Sequence, residues 1–152
     1  MSDLKYVTRR KIVIIPYTRD NQYLFVKDKE TSEWGFVTGG VKKNESFKKA
    51  AVREFIEETS NIFSYIPFHK CKQISYTNSY RPGKLLEIDQ QRGQRVVSNY
   101  VIYLFQIDYK HIENFTENNE IVDICITNFE KLRNVWKLSH MIYNEHKLTI
   151  LK

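Results

Sequence analysis

Three glutamates, Glu54, Glu57 and Glu58, fall within five residues of one another. They lie in residues 47–59, which contain no Gly or Pro and therefore predict a helix. Because residues i, i+3 and i+4 share one face of a helix, the three carboxylates would crowd together and repel one another. Arg53 offsets part of that repulsion, and a divalent cation such as Mg²⁺ or Mn²⁺, which prefers oxygen ligands, offsets more. The spacing therefore predicts a metal site on this helix.

The rest of the predicted helix is amphipathic. Ser46 precedes it and is a residue type that caps helix N-termini. The apolar arc opposite the glutamates is formed by Val52, Phe55 and Ile56. Ala50 and Ala51 lie beside the acidic face, and their small side chains leave room above it. The pattern predicts a helix that packs on a core through one side and faces an open site through the other. The alternative is a solvated surface helix with an acidic stripe.

The acidic helix belongs to a longer pattern over residues 39–61, GGVKKNESFKKAAVREFIEETSN. This stretch resembles the signature of the Nudix hydrolases, G-x5-E-x7-R-E-U-x-E-E-x-G-U with U apolar. The matching positions are Gly39, Glu45, Arg53, Glu54, Phe55, Glu57 and Glu58. Two positions depart, because Ser60 replaces the glycine and Asn61 replaces an apolar residue. That glycine normally ends the helix in a left-handed conformation, which Asn tolerates, so we expect the helix stop to move by one residue to Asn61.

The resemblance implies a single Nudix hydrolase domain over residues 1–152, folded as an α/β/α sandwich with a mixed β-sheet. A chain of 152 residues with 41% apolar content is long enough to bury the core of one such α/β domain. Alternating apolar and β-branched residues predict strands over residues 11–17, 23–27, 34–37, 72–76, 96–108 and Ile121–Thr127. Asn128 is a candidate cap for a final helix over residues 129–147.

The resemblance also implies hydrolysis of a phosphoanhydride bond with the help of Mg²⁺ or Mn²⁺. The family's metal ligands correspond to Glu54, Glu57 and Glu58, with a backbone carbonyl at Gly39 or Thr38 assisting. Such a reaction needs an attacking water, neutralised phosphoryl oxygens and relief of charge on the leaving phosphate, all of which divalent ions provide. Either Glu54 or Glu57 is the candidate that takes the proton of the water, and the alternative is a metal-bound hydroxide that needs no separate base.

Arg53 and Glu45 are predicted to orient the site, because a bidentate contact between them would anchor the glycine loop to the helix. A surface ion pair is the alternative for both residues. Many relatives supply a further glutamate from a late loop, and Glu117 and Glu120 are the candidates here. Glu120 ranks first because it immediately precedes the predicted strand Ile121–Thr127. An ordinary solvated charge is the alternative for either glutamate.

The chain carries a net charge of +6, with a pI of about 9.2. Positive residues gather in residues 5–11, in a predicted loop over residues 81–95 and along the predicted final helix. They indicate attraction to a polyanion, either a nucleotide polyphosphate or an RNA backbone, although lysine enrichment can also serve solubility alone. The candidate substrate-binding residues are Arg81, Lys84, Arg95, Lys131, Arg133 and Lys137.

The run WGFVTGGVKKNE at residues 34–45 narrows the candidate substrates. It resembles the W-G-F-P-x-G-x-U-x-x-x-E run of mRNA-decapping Nudix enzymes, with Val37 in place of their proline. Related runs also occur in Nudix hydrolases of diphosphoinositol polyphosphates and dinucleoside polyphosphates. Together with the basic surface, the run favours hydrolysis of an RNA 5′ cap. One alternative is hydrolysis of free nucleotides such as dinucleoside polyphosphates, ADP-ribose or nucleoside triphosphates. Another is a catalytically silent module that binds RNA or a nucleotide, although such modules usually lose the glutamates that this chain keeps.

The sequence also indicates the compartment. No apolar run is long enough to span a membrane, and the N-terminal residues MSDLKYVTRRK lack the apolar core of a signal peptide. Cys71 and Cys125 lie far apart in predicted strands, which favours buried free thiols over a disulfide. We therefore expect a cytoplasmic protein that works without a membrane partner.

Overall fold

The computed structural model describes residues 4–63, 65–107 and 112–151, with side chains as far as residue 145, and its central element is a seven-stranded sheet. The strands are β1 (Lys5–Tyr17), β2 (Tyr23–Asp28), β3 (Trp34–Gly35), β4 (Val37–Gly40), β5 (Lys72–Asn78), β6 (Gln94–Gln106) and β7 (Ile121–Thr127). The α-helices are α1 (Phe47–Glu58), α2 (Gly83–Gln91) and α3 (Lys137–Leu151). Short 3-10 turns occupy Phe68–Lys70, Ile112–Asn114 and Phe129–Lys131.

The sheet is mixed. Its strands follow the order β3-β2-β1-β6-β5, with β4 paired to β1 and β7 paired to β2. The long strands β1 and β6 run parallel, from Lys5 opposite Gln94 to Tyr17 opposite Gln106, and the other pairs are antiparallel. β4 pairs with β1 through residues 11–14. The first half of β1 therefore extends beyond β4, and β6 is its partner strand within the described residues.

Helices cover both faces of the sheet. For this reason residues 12–15 are all fully buried, although successive side chains of a strand point to opposite faces. The core on one face joins α1 to the sheet and includes Ile12, Ile14, Ala51 and Phe55. The core on the other face joins α3 to the sheet and includes Val13, Ile15, Leu138 and Ile142. This layering confirms the predicted α/β/α sandwich with a mixed sheet.

Two helix predictions need correction. The predicted loop over residues 81–95 contains α2, whose Leu85, Leu86 and Ile88 are 39%, 44% and 37% exposed. Its apolar residues remain largely outside the core, so the pattern gave little sign of a packed helix. The final helix begins at Lys137 rather than at residue 129, because the preceding segment is tied to β3. Trp34 donates its backbone N–H to the Asn134 carbonyl at 2.9 Å and accepts from the Trp136 N–H at 2.8 Å.

Several predicted boundaries also shift. The predicted strand over residues 34–37 is divided at Phe36, whose backbone N–H donates to the Ser139 hydroxyl at 3.2 Å. β1 and β6 begin earlier than predicted, and Asp108, the predicted end of β6, lies outside the described residues. The backbone of α3 continues past residue 147 to Leu151.

Helix α1 meets the sheet through a face that only partly matches the predicted one, in which Phe55 is fully buried as expected. Val52 and Ile56, two members of the predicted apolar arc, are only half-buried. Ala50 and Ala51 are fully buried, and Glu58 is 5% exposed. The alanines therefore do not leave open room beside the glutamates; their small size lets the helix approach the sheet closely. The acidic face is thus partly enclosed.

Cys71 and Cys125 are free thiols, as predicted, and both are half-buried. Burial raises the pKa of each thiol to about 11. Cys125 lies in β7, whereas Cys71 follows the 3-10 turn Phe68–Lys70 rather than lying within a strand. Among the described residues, no helix is long and apolar enough to cross a membrane.

Candidate metal centre

Both ends of α1 are fixed by local hydrogen bonds. The Ser46 hydroxyl accepts from the Lys49 N–H at 3.1 Å, which confirms Ser46 as the N-cap. At the other end Ser60 and Asn61 both adopt left-handed conformations, with φ of 52° and 59°. The Asn61 N–H donates to the Ile56 carbonyl at 2.8 Å, as in a Schellman motif. The expected shift of the helix stop to Asn61 is therefore wrong, because Ser60 itself adopts the conformation that the family assigns to glycine.

Arg53 connects the end of β4 and the loop that follows it to the acidic helix α1. Its Nε and Nη2 donate to Glu45 Oε2 and Oε1, each at 2.9 Å, so the predicted bidentate contact is present. Nη2 also donates to the Gly40 carbonyl at 2.9 Å, and Nη1 donates to Glu54 Oε1 at 2.7 Å. The hydrogen bonds from Arg53, followed by that from the Lys42 N–H, lower the pKa of Glu45 to about 2. Arg53 thus holds the carboxylates of Glu45 and Glu54 in fixed positions through charged hydrogen bonds.

Gly39 lies directly against the carboxylate of Glu54. A Cβ at position 39 would lie 2.2 Å from Glu54 Cδ, 2.4 Å from Cγ and 2.7 Å from Oε1. Real Cβ atoms do not come so close to other atoms, so the position of Glu54 requires glycine in β4. The neighbouring Gly40 is different, because a Cβ there would meet only Lys11 Nζ, at 3.7 Å.

Carboxylate oxygens of Glu54, Glu58 and Glu120 lie within 4.8 Å of one another. Glu58 is buried, and its Oε2 has no hydrogen-bond partner among the described residues. Burial, and then the proximity of Glu54, Glu120 and Asp28, raise the pKa of Glu58 well above its usual value. Burial and the charges of Glu54, Glu57 and Asp28 also raise the pKa of Glu120. A buried acceptor without a donor, in a set of convergent carboxylates, fits a divalent cation.

The other two candidate glutamates are not part of this group of three, although Glu57 is close enough for its charge to raise the pKa of Glu120. The side chain of Glu57 is 54% exposed, and its Oε2 lies 3.8 Å from Arg53 Nη1. Glu117 is exposed and forms an ion pair with Lys29 at 2.9 Å. Of the two late-loop candidates, Glu120 is therefore the one that the fold brings to the helix.

Asn118, which the sequence reasoning did not single out, ties the late loop to the end of α1. Its Nδ2 donates to the carbonyls of Glu57 and Glu58 at 3.0 and 3.2 Å, and to the Ser60 hydroxyl at 3.0 Å. Its Oδ1 accepts from the N–H groups of Glu120 and Ile121 at 3.0 and 2.9 Å. The side chain thus joins the two elements that carry Glu58 and Glu120. The one sequence signal for this role is the tendency of Asn to bond to nearby backbone in turns.

A cleft of about 330 Å³ adjoins the acidic cluster. Its lining includes Lys11, Glu33, Phe36, Trp136 and, from the cluster, Glu58 and Glu120. Burial, and then the charges of Arg9 and Arg81, lower the pKa of Lys11. Sequence reasoning did not find Lys11 or Trp136 as site residues, because both come from segments distant from residues 39–61. A lysine near a carboxylate cluster and an aromatic wall are groups that suit a phosphate and a nucleobase.

The six candidate substrate-binding residues lie outside this cleft. Arg81 is engaged, since its Nε donates to Asp89 Oδ2 at 2.9 Å and its side chain is 12% exposed. Lys137 places Nζ 5.3 Å from the centre of the Tyr80 ring. Lys84, Arg95, Lys131 and Arg133 are exposed. Residues 131 and 133 also precede α3 rather than belonging to it.

A family model described as the NUDIX domain matches residues 7–146. No curated protein matches the chain in a sequence comparison. The Escherichia coli dihydroneopterin triphosphate pyrophosphohydrolase is 19% identical, with a TM-score of 0.59, over 89% of this chain and 92% of that one. A Caenorhabditis elegans Ap4A hydrolase is 14% identical, with a TM-score of 0.58, over 96% and 99% of the two chains. A Burkholderia pseudomallei MutT Nudix hydrolase is 17% identical, with a TM-score of 0.64, over 91% and 97%.

These identities are low enough that the solved structures support the fold alone. The family model carries more weight, because it spans most of the chain and includes the whole acidic helix. The resemblance in residues 39–61 is thereby confirmed, and the protein belongs to the Nudix hydrolase family of enzymes that act on phosphoanhydride bonds.

Proposed function

We propose that this enzyme is a divalent-metal-dependent pyrophosphohydrolase that cleaves a nucleoside diphosphate linked to another moiety. We further propose that the nucleoside diphosphate is the 5′ cap of an RNA, so that the second product is a 5′-monophosphate RNA. The observation that carries the proposal is the junction of the Glu54, Glu58 and Glu120 cluster with the cleft that contains Lys11 and Trp136. At about 330 Å³ the cleft is at the small end of ligand sites, so it suits one nucleotide. The rest of a larger substrate would extend over the surface outside.

Each residue has a role in this proposal. Glu54, Glu58 and Glu120, with a backbone carbonyl at Gly39 or Thr38, would hold Mg²⁺ or Mn²⁺, which supplies an activated water and neutralises phosphoryl oxygens. Lys11 in the cleft binds a phosphate oxygen of the substrate. These assignments use the residues that the fold brings together and need no group from elsewhere in the chain.

Glu57 is the better candidate for accepting the proton of the water. Its carboxylate is half exposed and lies outside the cluster, whereas that of Glu54 accepts a 2.7 Å hydrogen bond from Arg53 and contacts Gly39. A general base must be free to reach the water and to release the proton afterwards. Arg53 and Glu45 act as positioning residues, because they hold Glu54 without reaching the cleft.

The preference for capped RNA is supported by the run WGFVTGGVKKNE and by the exposed basic residues outside the cleft, which are Lys84, Arg95, Lys131, Arg133 and Lys137. None of these residues lines the cleft that a free nucleotide would fill. The second candidate is hydrolysis of free nucleotides such as dinucleoside polyphosphates, ADP-ribose or nucleoside triphosphates. The size of the cleft favours it equally, and the two similar structures named for a triphosphate and for Ap4A are consistent with it.

The experiment that decides is a screen, with products identified, of capped RNA, cap dinucleotide, dinucleoside polyphosphates, ADP-ribose and nucleoside triphosphates with Mg²⁺ or Mn²⁺. Catalytic efficiency for capped RNA should fall steeply between low and moderate salt, since an RNA tail releases counterions, while that for the cap dinucleotide should fall little. Equal salt slopes would reject the RNA proposal and favour the free nucleotides. Absence of metal-driven turnover on every substrate would favour a silent binding module instead.

A further inference from the structure

One part of the sheet is open on the α1 side. β1, β6 and β5 extend past α1, and on this face they carry Tyr6, Thr8, Arg10, Arg95, Val97, Asn99, Ser75 and Thr77. The register brings them side by side, with Tyr6 opposite Arg95 and Arg10 opposite Asn99. Thr77 donates its hydroxyl to Asn99 Oδ1 at 3.1 Å across the next pair of strands. We call this set of residues the open face.

On β6 the exposure is confined to one side of the strand. On the opposite side of β6, Val96, Ser98 and Tyr100 are 2%, 4% and 7% exposed. On the open face Arg95 and Asn99 are exposed and Val97 is half-buried, while Tyr6 is 66% exposed. A three-stranded surface with a solvent-exposed aromatic ring is unusual for a sheet whose other parts are covered by helices.

The composition of the open face indicates the chemistry of its partner. It contains no acidic residue, and it combines one aromatic ring, two arginines and several hydroxyl and amide groups. Such a set stacks on bases and binds phosphates, as in sheets that bind single-stranded nucleic acid. A protein partner or a second copy is less suited, because Tyr6 and Val97 offer too little apolar area for the centre of a stable interface.

Arg10 places the open face next to the loop that joins β4 to α1. Its guanidinium donates to the carbonyls of Glu45 and Lys42 at 3.1 and 3.0 Å and lies 5.6 Å from the centre of the Phe47 ring. Glu45 in turn contacts Arg53, which holds Glu54. A chain of direct contacts therefore joins the open face to the acidic cluster. Exposed lysines at positions 42 and 43 extend the positive surface along this path.

We propose that the open face binds single-stranded RNA, and that it holds the nucleotides that follow the cap, the second statement resting on the proposed function. Tyr6 stacks on a base, while Arg10 and Arg95 contact phosphates and Asn99 and Thr77 contact sugar or base edges. The path along Arg10 and the lysines leads from these nucleotides to the reactive phosphates. Binding at the open face would therefore favour capped RNA over a free cap dinucleotide as the substrate.

The test uses the full chain and a fluorescently labelled 5′-monophosphate RNA of about ten nucleotides, a site size within the range of single-strand binders. Tyr6→Ala should weaken its binding, followed by anisotropy, by about fivefold or more, since stacking on one base contributes that much or more. Tyr6→Phe should retain binding. Tyr65→Ala is the matched control, because Tyr65 is also 66% exposed and lies elsewhere in the chain. Arg95→Gln should reduce the slope of log affinity against log salt by about 0.7.

Several results would overturn the proposal. The first is an affinity for the RNA that is equal in Tyr6→Ala and Tyr65→Ala. The second is a loss of affinity that appears only when Lys131, Arg133 and Lys137 are replaced together. The third is a dimeric wild type that Tyr6→Ala converts to a monomer. The proposed function fails separately. Because the labelled RNA has no cap, a protein that binds it through Tyr6 yet cleaves no capped RNA would refute decapping and leave the open face as an RNA site. Cleavage of capped RNA, with no effect of Tyr6→Ala on RNA binding, would support decapping and refute the open face as an RNA site.

Discussion

Replacing Gly39 with Ala should displace the Glu54 carboxylate and leave the other residues of the site in place. The new Cβ would lie 2.2 Å from Glu54 Cδ. Carbon atoms pack at about 3.5 Å or more, so the carboxylate would have to move by roughly 1.3 Å. That movement would break its 2.7 Å contact with Arg53 and draw it away from Glu58 and Glu120. A displacement of this size in a catalytic group costs about 100-fold in rate, so we expect a loss of metal-dependent turnover of that order.

Gly40→Ala is the matched control, because its Cβ would meet only Lys11 Nζ at an ordinary 3.7 Å. Its carbonyl, which accepts from Arg53, would be unaffected. We would measure turnover on the best substrate of the screen, together with the rise in Tm that Mg²⁺ or Mn²⁺ produces in each variant. Gly39→Ala should lose most of both, and Gly40→Ala should stay close to the wild type. Equal turnover and equal metal-induced Tm shifts in the two variants would refute the assignment of Glu54 as a ligand held by its contact with Gly39.

Three further predictions address the other carboxylates. Glu57→Gln and Glu58→Gln should each lower turnover by about 100-fold or more. Glu58→Gln should also raise the Tm of the metal-free protein, because it relieves repulsion between buried carboxylates. Near-normal Mg²⁺-dependent turnover in both variants would show that the site is misassigned. Glu120→Gln should lower turnover far more than Glu117→Gln, and equally slight effects would place both residues among ordinary surface charges. Glu45 has its pKa lowered from 4.5 to about 2 by its hydrogen bonds with Arg53, so its contribution to stability is complete above about pH 4.5 and is lost as the pH falls toward 2. Urea midpoints of the wild type should therefore approach those of Glu45→Gln over this range, whereas parallel curves would contradict the pair.

The sequence predicted the parts of the site that are local. The spacing of Glu54, Glu57 and Glu58 follows from helix geometry, and the N-cap role of Ser46 follows from its residue type. The bidentate contact between Arg53 and Glu45 was also predictable, because the family signature fixes the length of chain between them. Strand positions followed from runs of apolar and β-branched residues, which the structure buries on both faces of the sheet where helices cover it.

The parts that failed depend on contacts between distant segments. Sequence spacing gave Glu57 and Glu58 equal standing, but the approach of the sheet buries Glu58 and leaves Glu57 half exposed. Lys11, Asn118 and Trp136 reach the site from three separate elements, and no local pattern relates them to the acidic helix. The late start of α3 has the same origin, because backbone bonds to Trp34 hold the preceding residues extended.

Two opposing structural requirements meet at the end of α1. A glycine at position 60 would relieve a left-handed conformation that costs a residue with a side chain about 1–2 kcal/mol. The same change would remove the hydroxyl that donates to the Thr116 carbonyl and accepts from Asn118. Restoring the family glycine would therefore free the backbone while loosening the loop that carries Glu120. Substitutions at positions 60 and 118 are thus expected to be epistatic, because without the Ser60 hydroxyl the attachment of the late loop would depend more on the bonds from Asn118 to the Glu57 and Glu58 carbonyls.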